Sequence, residues 1–370
     1  MLAELDQHPH AHAVLGPALA SGGEPSHAYL FHGPGGAGKR SFTRALCAEL
    51  LAAGSPDPES ARARALAGVH PDLTWVVPSG AHEILVSDVD GPVIAAASKR
   101  PFESNRRVFV IERADELGDE AANRMLKTLE EPASFVHLIL LTDRLGDVLP
   151  TIRSRCQLVR FDAPSIEQVA ATVEQAGVPP EVALACACLS LGDATRAREL
   201  ASEDGTALRT AAERFARATL AGQAGAQRPW ADILAAVRAR GEAVVAELES
   251  RQAAELELVS RKDRKRVQTE WTERIRRARR RAETRALDLG LQLAELWFAD
   301  LACREWGAEE LVRHRDRQAE LAADAGRDPA RLREAIELIE DTRVRFKLNV
   351  SEELACEALA YRLERVLGAA

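Results

Sequence analysis

The chain has 370 residues, is 46% hydrophobic and 29% charged, and carries a formal net charge of −8. That length exceeds one ordinary core and implies two or three domains, and the acidic balance excludes a general polyanion binder. No apolar run reaches the ~18–20 residues that cross a bilayer, and the opening stretch MLAELDQHPHAHAV lacks the basic and apolar regions of a signal peptide. The expectation is a cytoplasmic protein with no membrane partner.

Between residues 28 and 161, short apolar runs alternate with helical stretches. Ala28–His32, Asp72–Val77, Ile84–Val89, Val108–Glu112, His137–Thr142 and Gln157–Phe161 have the length and residue types of buried strands. Arg40–Ala52 and Asp119–Glu130 read as helices between them. Alternation of this kind predicts a mostly parallel sheet with helices on both faces, and ligands of such sheets sit at the carboxyl ends of the strands.

The stretch GPGGAGKR, Gly33–Arg40, lies between the first strand and a helix, the context a phosphate-binding loop requires. Gly33, Gly36 and Gly38 would let backbone N–H groups close around an anion, and Lys39 would reach terminal phosphates. The next position should supply a magnesium-binding hydroxyl; Arg40 has donors only. The strand Val108–Ile111 runs into Glu112, at the metal position, and Arg113, where a base is needed and none is possible. Two parts of the magnesium and water chemistry are therefore missing. The expectation is no intrinsic ATPase activity, no required cofactor, and ATP as at most a weak ligand; a Gly-rich turn is the alternative.

Strand-like runs stop at Asp162–Ser165. Ser165 with Gln168 forms a capping box, Gly177–Pro180 breaks the helix that follows, and from about residue 205 the pattern is helical throughout. Asn349 or Ser351 would cap a final helix with Leu354, Ala358, Tyr361 and Leu363 near one face. The expected organisation is an α/β domain over 1–164, a small helical lid over 165–205 and an all-α domain over 206–370. The segment 261–285 stands apart, with 12 basic and 4 acidic residues. Val267, Trp271, Ile275, Ala278 and Ala282 form a narrow helical stripe within it. A solvated charged helix and a DNA-binding one both fit. Six cysteines match neither a disulfide framework nor a paired C-x-x-C metal site and read as core thiols.

Four motifs occur in order: SHAYLFHGPGGAGK (26–39), HPD (70–72), NRMLKTLEEP (123–132) and TIRSRC (151–156). With them the chain resembles the delta-prime subunits of bacterial DNA polymerase III clamp loaders, a branch of the AAA+ superfamily. The resemblance implies a P-loop domain followed by a lid and a helical collar, in a largely rigid, non-catalytic stator of a five-subunit loader. The implied partners are ATP-binding motor subunits, a delta subunit, primer-template DNA within the complex and, weakly or indirectly, the sliding clamp. By the same resemblance Arg155 is an arginine finger acting on a neighbour's ATP. Ser154, Lys127, Glu130 and Glu131 are interface positions, and Thr142 stands at the sensor position for a γ-phosphate. Many relatives carry a four-cysteine zinc module before His-Pro-Asp; here only Cys47 remains in that region, so no zinc or other metal is expected. An autonomous AAA+ ATPase with an unusual magnesium site, and a DNA-binding accessory protein acting through 261–285, are the competing functions.

Overall fold

The computed structural model describes residues 8–19, 23–78, 83–258, 264–346 and 350–368. It divides into two compact units, Met1–Pro164 and Ser165–Ala370.

The first unit is built on five parallel strands: β1 (Ala28–His32), β2 (Leu73–Val76), β3 (Arg107–Ile111), β4 (Val136–Thr142) and β5 (Gln157–Arg160). Their order is β2-β3-β4-β1-β5, so β1 lies inside the sheet between β4 and β5. Helices α1 (Pro9–Leu19), α2 (Lys39–Ala52), α3 (Pro58–Ala67), α4 (Val86–Val89), α5 (Asp119–Glu130) and α6 (Pro150–Arg153) connect and cover it. The two-residue period of a strand separates the faces. Leu30, Phe109, Ile111, Leu138 and Leu140 pack with Met125 and Leu129 of α5. Tyr29, Phe31, Val108, Val110, Ile139 and Leu141 pack with Leu15 of α1 and Phe42 and Leu46 of α2.

The expected strand at Ile84–Val89 is corrected. Ile84 makes a single parallel bridge to Leu117, and the chain then turns into α4 and a π-helical segment, Asp90–Ala95. Asp88 accepts the Leu85 N–H at 3.0 Å, capping the new helix. Val89, Val93 and Ala97 are buried, a four-residue spacing that signals helix; the local richness in Val and Ile masked it.

Asp72 of His-Pro-Asp is fully buried. Its carboxylate accepts the backbone N–H groups of Phe102 at 2.6 Å, and of Glu103 and Ser104 at 2.9 Å each. The motif thus fixes the loop leading into β3. His70 accepts the Asp72 N–H through Nδ1 at 3.0 Å, a structural turn residue. Among the described residues no group of three or more His, Cys, Asp or Glu is placed to hold a metal ion, and no helix is long and apolar enough to cross a membrane.

The second unit is helical: α7 (Ile166–Glu174), α8 (Pro180–Leu189), α9 (Ala194–Ala201), α10 (Glu203–Leu220), α11 (Ala224–Gln227), α12 (Trp230–Leu258), α13 (Arg264–Glu305), α14 (Gln318–Ala323), α15 (Pro329–Arg345) and α16 (Glu352–Leu367). Val169, Val173, Ala183, Ala187 and Ala197 of α7–α9 make a small cluster of their own. Phe215, Trp230, Trp297, Phe298, Ile339 and Leu363 anchor a larger one. The Ser165–Gln168 capping box is formed in both directions, at 3.2 and 2.8 Å. Ser351 is the N-cap residue of α16, and Asn349 lies outside the described residues. The expected face of α16 is corrected. Cys356, Leu359, Ala360, Leu363 and Leu367 are buried, whereas Leu354 and Tyr361 are 66% and 47% exposed. Leu354, Ala358 and Tyr361 share the outer face, and Leu363 lies on the opposite, buried one.

Candidate functional site

Gly33 leaves β1 with φ 139°. A Cβ there would lie 2.1 Å from the carbonyl oxygen of Phe161, at the end of β5, so only glycine allows the approach. Gly38, with φ 78°, is the N-cap of α2. The loop rests on an aromatic cluster in which Phe31, Phe42 and Phe161 rings lie 5.1–5.9 Å apart.

The lysine of this loop is turned inward. Lys39 Nζ donates to the carbonyls of Gly33 at 2.6 Å and Pro34 at 2.7 Å, and pairs with Asp143 Oδ1 at 2.7 Å. An ammonium has three protons, so all are committed inside the loop, and the side chain is only 8% exposed. The neighbouring His32 has its pKa lowered first by burial and then by the surrounding cationic groups His10, Arg160, Lys39 and Arg153.

Arg40 does more than lack a hydroxyl. Its Nε lies 2.7 Å from Glu112 Oε1, and Trp75 Nε1 donates to the same oxygen at 2.5 Å. A guanidinium and an indole N–H therefore satisfy the carboxylate that would face a magnesium ion. Arg113, with φ 57°, turns away to pair with Glu116 at 2.6 Å. At the end of β4 the Thr142 hydroxyl donates to Asp115 Oδ1 at 2.8 Å and accepts the Arg144 N–H at 3.0 Å. Asp115 is held in turn by Arg144 at 3.1 Å.

A second cluster forms where α6 runs into β5. Pro150 starts the short helix α6 and Ser154 is its C-cap. Arg155 Nε donates to Glu130 Oε1 at 2.8 Å, and Nη2 binds the same carboxylate. Nη1 donates to the Thr151 carbonyl at 2.9 Å and to Ser154 Oγ at 3.2 Å. The guanidinium side chain stays 32% exposed. On α5, Met125 and Leu129 are buried, Leu126 is half-buried, and Lys127, Glu130 and Glu131 face outward. Burial pushes the Cys156 thiol up to about 12, so it is no nucleophile.

The structure therefore joins Gly33, Lys39 and Asp143 in one closed loop, and Arg40 to Glu112 beside it. Ser154, Arg155 and Glu130 form a separate surface cluster. Sequence reasoning missed Asp143, Trp75 and Asp115. Asp143 carried a usable signal, since it directly follows the Thr142 sensor position at a strand end. Its pairing with Lys39 depends on β1 lying beside β4, in the register His32 to Thr142.

Residues 8–165 match the family model described as DNA polymerase III, delta subunit. The delta-prime subunit of DNA polymerase III from Pseudomonas aeruginosa is 35% identical over 147 residues, which is 37% of this chain and 44% of that protein. The α/β unit resembles a DNA polymerase III delta-prime subunit. That of Bacillus subtilis (strain 168) is 34% identical over 162 residues, 43% of this chain and 49% of that one; the matches thus span about half the length of the curated delta-prime relatives. A gamma subunit-related DNA polymerase III protein from Thermotoga maritima covers 93% of this chain and 96% of its own, at 15% identity and a TM-score of 0.43. The parallel sheet, its β2-β3-β4-β1-β5 order and the loop after β1 give the α/β organisation expected from the sequence.

Proposed function

We propose that the chain is a non-catalytic stator subunit of a bacterial clamp loader, in the delta-prime position, that supplies Arg155 to the ATP site of a neighbouring motor subunit. The observation that carries this reading is the contrast between the two clusters. In the chain's own phosphate loop Lys39 is buried against Asp143 and Arg40 occupies Glu112, while Arg155, held in place by Glu130, keeps a partly exposed guanidinium outside that loop. A permanently charged planar fork suits phosphate oxygens, and a phosphate it could serve is one bound to another chain.

On this reading the chain does not turn over ATP, and ATP and zinc are dispensable to it. Its partners are the motor subunits and a delta subunit, with primer-template DNA inside the complex and the sliding clamp touched weakly or indirectly, in the cytoplasm. Residues 206–370 would form the collar that carries most of the assembly surface, with 165–205 as the lid. The exposed Leu354 and Tyr361 of α16 support an assembly role for that domain. The Arg40–Glu112 pair speaks against an autonomous ATPase.

The test is reconstitution of the loader with Arg155→Ala and Arg155→Lys. The Ala variant should assemble normally and lose DNA-stimulated ATPase by up to about 10³-fold, the lower end of what trans-acting arginines supply elsewhere. Lys should rescue only part, since a point charge cannot reproduce planar hydrogen bonding. Full activity with Arg155→Ala would overturn the reading.

A further inference from the structure

We infer that His8 and His10 form a proton-sensitive latch, which holds the start of α1 on the outer edge of β5 and beside the phosphate loop and opens when the two imidazoles are protonated.

β5 stands last in the strand order, so one of its edges pairs with β1 and the other has no strand beside it. Along a strand, successive N–H groups point to opposite edges. The Phe161 N–H turns inward and donates to the His32 carbonyl at 2.8 Å. Those of Arg160 and Asp162 turn outward, where an unpaired edge leaves donors to be satisfied. Both meet imidazoles. His10 Nδ1 accepts the Arg160 N–H at 3.1 Å, and His8 Nδ1 accepts the Asp162 N–H at 3.2 Å. Pro9 between them is the first residue of α1. A single His-Pro-His stretch thus supplies side-chain acceptors to two consecutive outward donors of the strand.

An imidazole accepts through Nδ1 only while it is neutral with its proton on Nε2; a second proton makes both nitrogens donors. Each contact with β5 would then set one N–H against another. His10 is exposed and His8 half-buried, so solvent protons reach both rings. The charged groups around them are mixed. His10, Arg160, Lys39 and Arg153 all act on His32 at the end of β1. Asp162 pairs with Arg160 at 3.0 Å, and Asp143 with Lys39. His12 follows on α1, its N–H donating to the His8 carbonyl at 2.9 Å. The cations oppose an imidazolium here, and the Asp162 carboxylate draws one toward itself and away from the backbone donor. Neither effect restores an acceptor to the β5 edge.

The same histidines lie against the phosphate loop. The His8 ring packs on Phe161 with centroids 4.9 Å apart, and a Cβ on Gly38 would lie 3.8 Å from its Nε2. Gly38 is the last glycine of the loop and the N-cap of α2, so His8 closes one side of the loop. Further along α1, Ala11 and Leu15 are fully buried in the core shared with α2. Apolar burial carries no proton dependence, and it keeps the body of α1 in place. Opening is therefore confined to the stretch before Ala11. It bares the outward N–H groups of β5 and the Gly38 end of the loop while the fold persists, a local opening of the kind that hydrogen exchange detects.

The experiment is residue-resolved hydrogen exchange of the full chain at about pH 7.5 and about pH 5.5, corrected for the intrinsic pH dependence of amide exchange. One unit below the ordinary imidazole pKa of about 6.5, an unconstrained histidine is about nine-tenths protonated. Protection of the Arg160 and Asp162 amides should therefore fall by about tenfold between the two conditions. The Phe161 amide, bonded inside the sheet, should keep its protection. His8→Asn with His10→Asn supplies amide oxygens that accept without titrating, and the pH dependence at Arg160 and Asp162 should vanish. His8→Phe with His10→Phe removes the acceptors and should leave both amides weakly protected already at the higher pH. Unchanged wild-type protection across the range would overturn the inference. So would a fall of the same size in the Asn variant, or one shared equally by Phe161, since the strand would then be opening as a whole.

Discussion

Arg155 and Glu130 are 25 residues apart in sequence and joined in space, the Arg155 guanidinium giving Nε to Glu130 Oε1 at 2.8 Å and Nη2 to the same carboxylate. The Thr151 carbonyl and Ser154 hydroxyl take Nη1, so the guanidinium plane is fixed before any partner arrives. Glu130 is therefore expected to position Arg155. Replacing it by Ala should lower the ATPase kcat of a reconstituted loader by about tenfold, because a displaced reacting group loses much of its orientation advantage. The same change in an Arg155→Ala background should have no further effect, since two residues acting through one interaction are not additive. Additive losses would show that Glu130 acts elsewhere.

The Arg40–Glu112 pair predicts how the isolated chain treats nucleotide. Calorimetry with magnesium and ATP should show no tight binding to the wild type. Arg40→Ser should change stability by less than about 1 kcal/mol, because the Arg40 side chain is 61% exposed. Combining it with Asp143→Asn removes the ionic partner of both Glu112 and Lys39 and should give measurable magnesium-dependent binding. Turnover should stay absent, with Arg113 following Glu112. Tight magnesium-dependent binding by the wild type would refute this account of the loop.

Asp72 is expected to be the costliest single carboxylate of the α/β unit. It is fully buried and accepts three backbone N–H groups. Asp72→Ala leaves those donors unpaired and should destabilise the unit by about 3 kcal/mol or more, read from urea denaturation of the full chain. A loss below about 1 kcal/mol would mean that water replaces the carboxylate.

Burial lowers the pKa of His137, against the raising effect of its bond to the Ser26 carbonyl, and burial likewise lowers that of His70. A histidine depressed in the folded state costs nothing while both states are neutral. As pH falls through about 6.5 the unfolded chain takes up the proton first. Stability should therefore fall with pH from about 7 downward and level off below the folded value. His137→Gln should make that decline shallower in urea midpoints measured across this range; an identical pH slope would assign the loss to other groups.

The sequence by itself determined what is chemically local. Arg40 after the loop lysine and Arg113 after Glu112 are read directly from the chain, and a guanidinium neither coordinates a cation nor takes a proton. The loop between strand and helix, the Ser165 capping box and the buried side of α5 were legible for the same reason, each being written within one or two turns of chain. Only the tertiary structure decided that Asp143 closes on Lys39, that Arg40 and Trp75 both occupy Glu112, and that Glu130 holds Arg155. Those pairings depend on strand order and register, and parallel pairing joins segments whose separation leaves no trace in hydrophobic period. Val86–Val89 is helical for a related reason: a short apolar run is compatible with either structure, and the pairing of Ile84 with Leu117 and the Asp88 cap settle it.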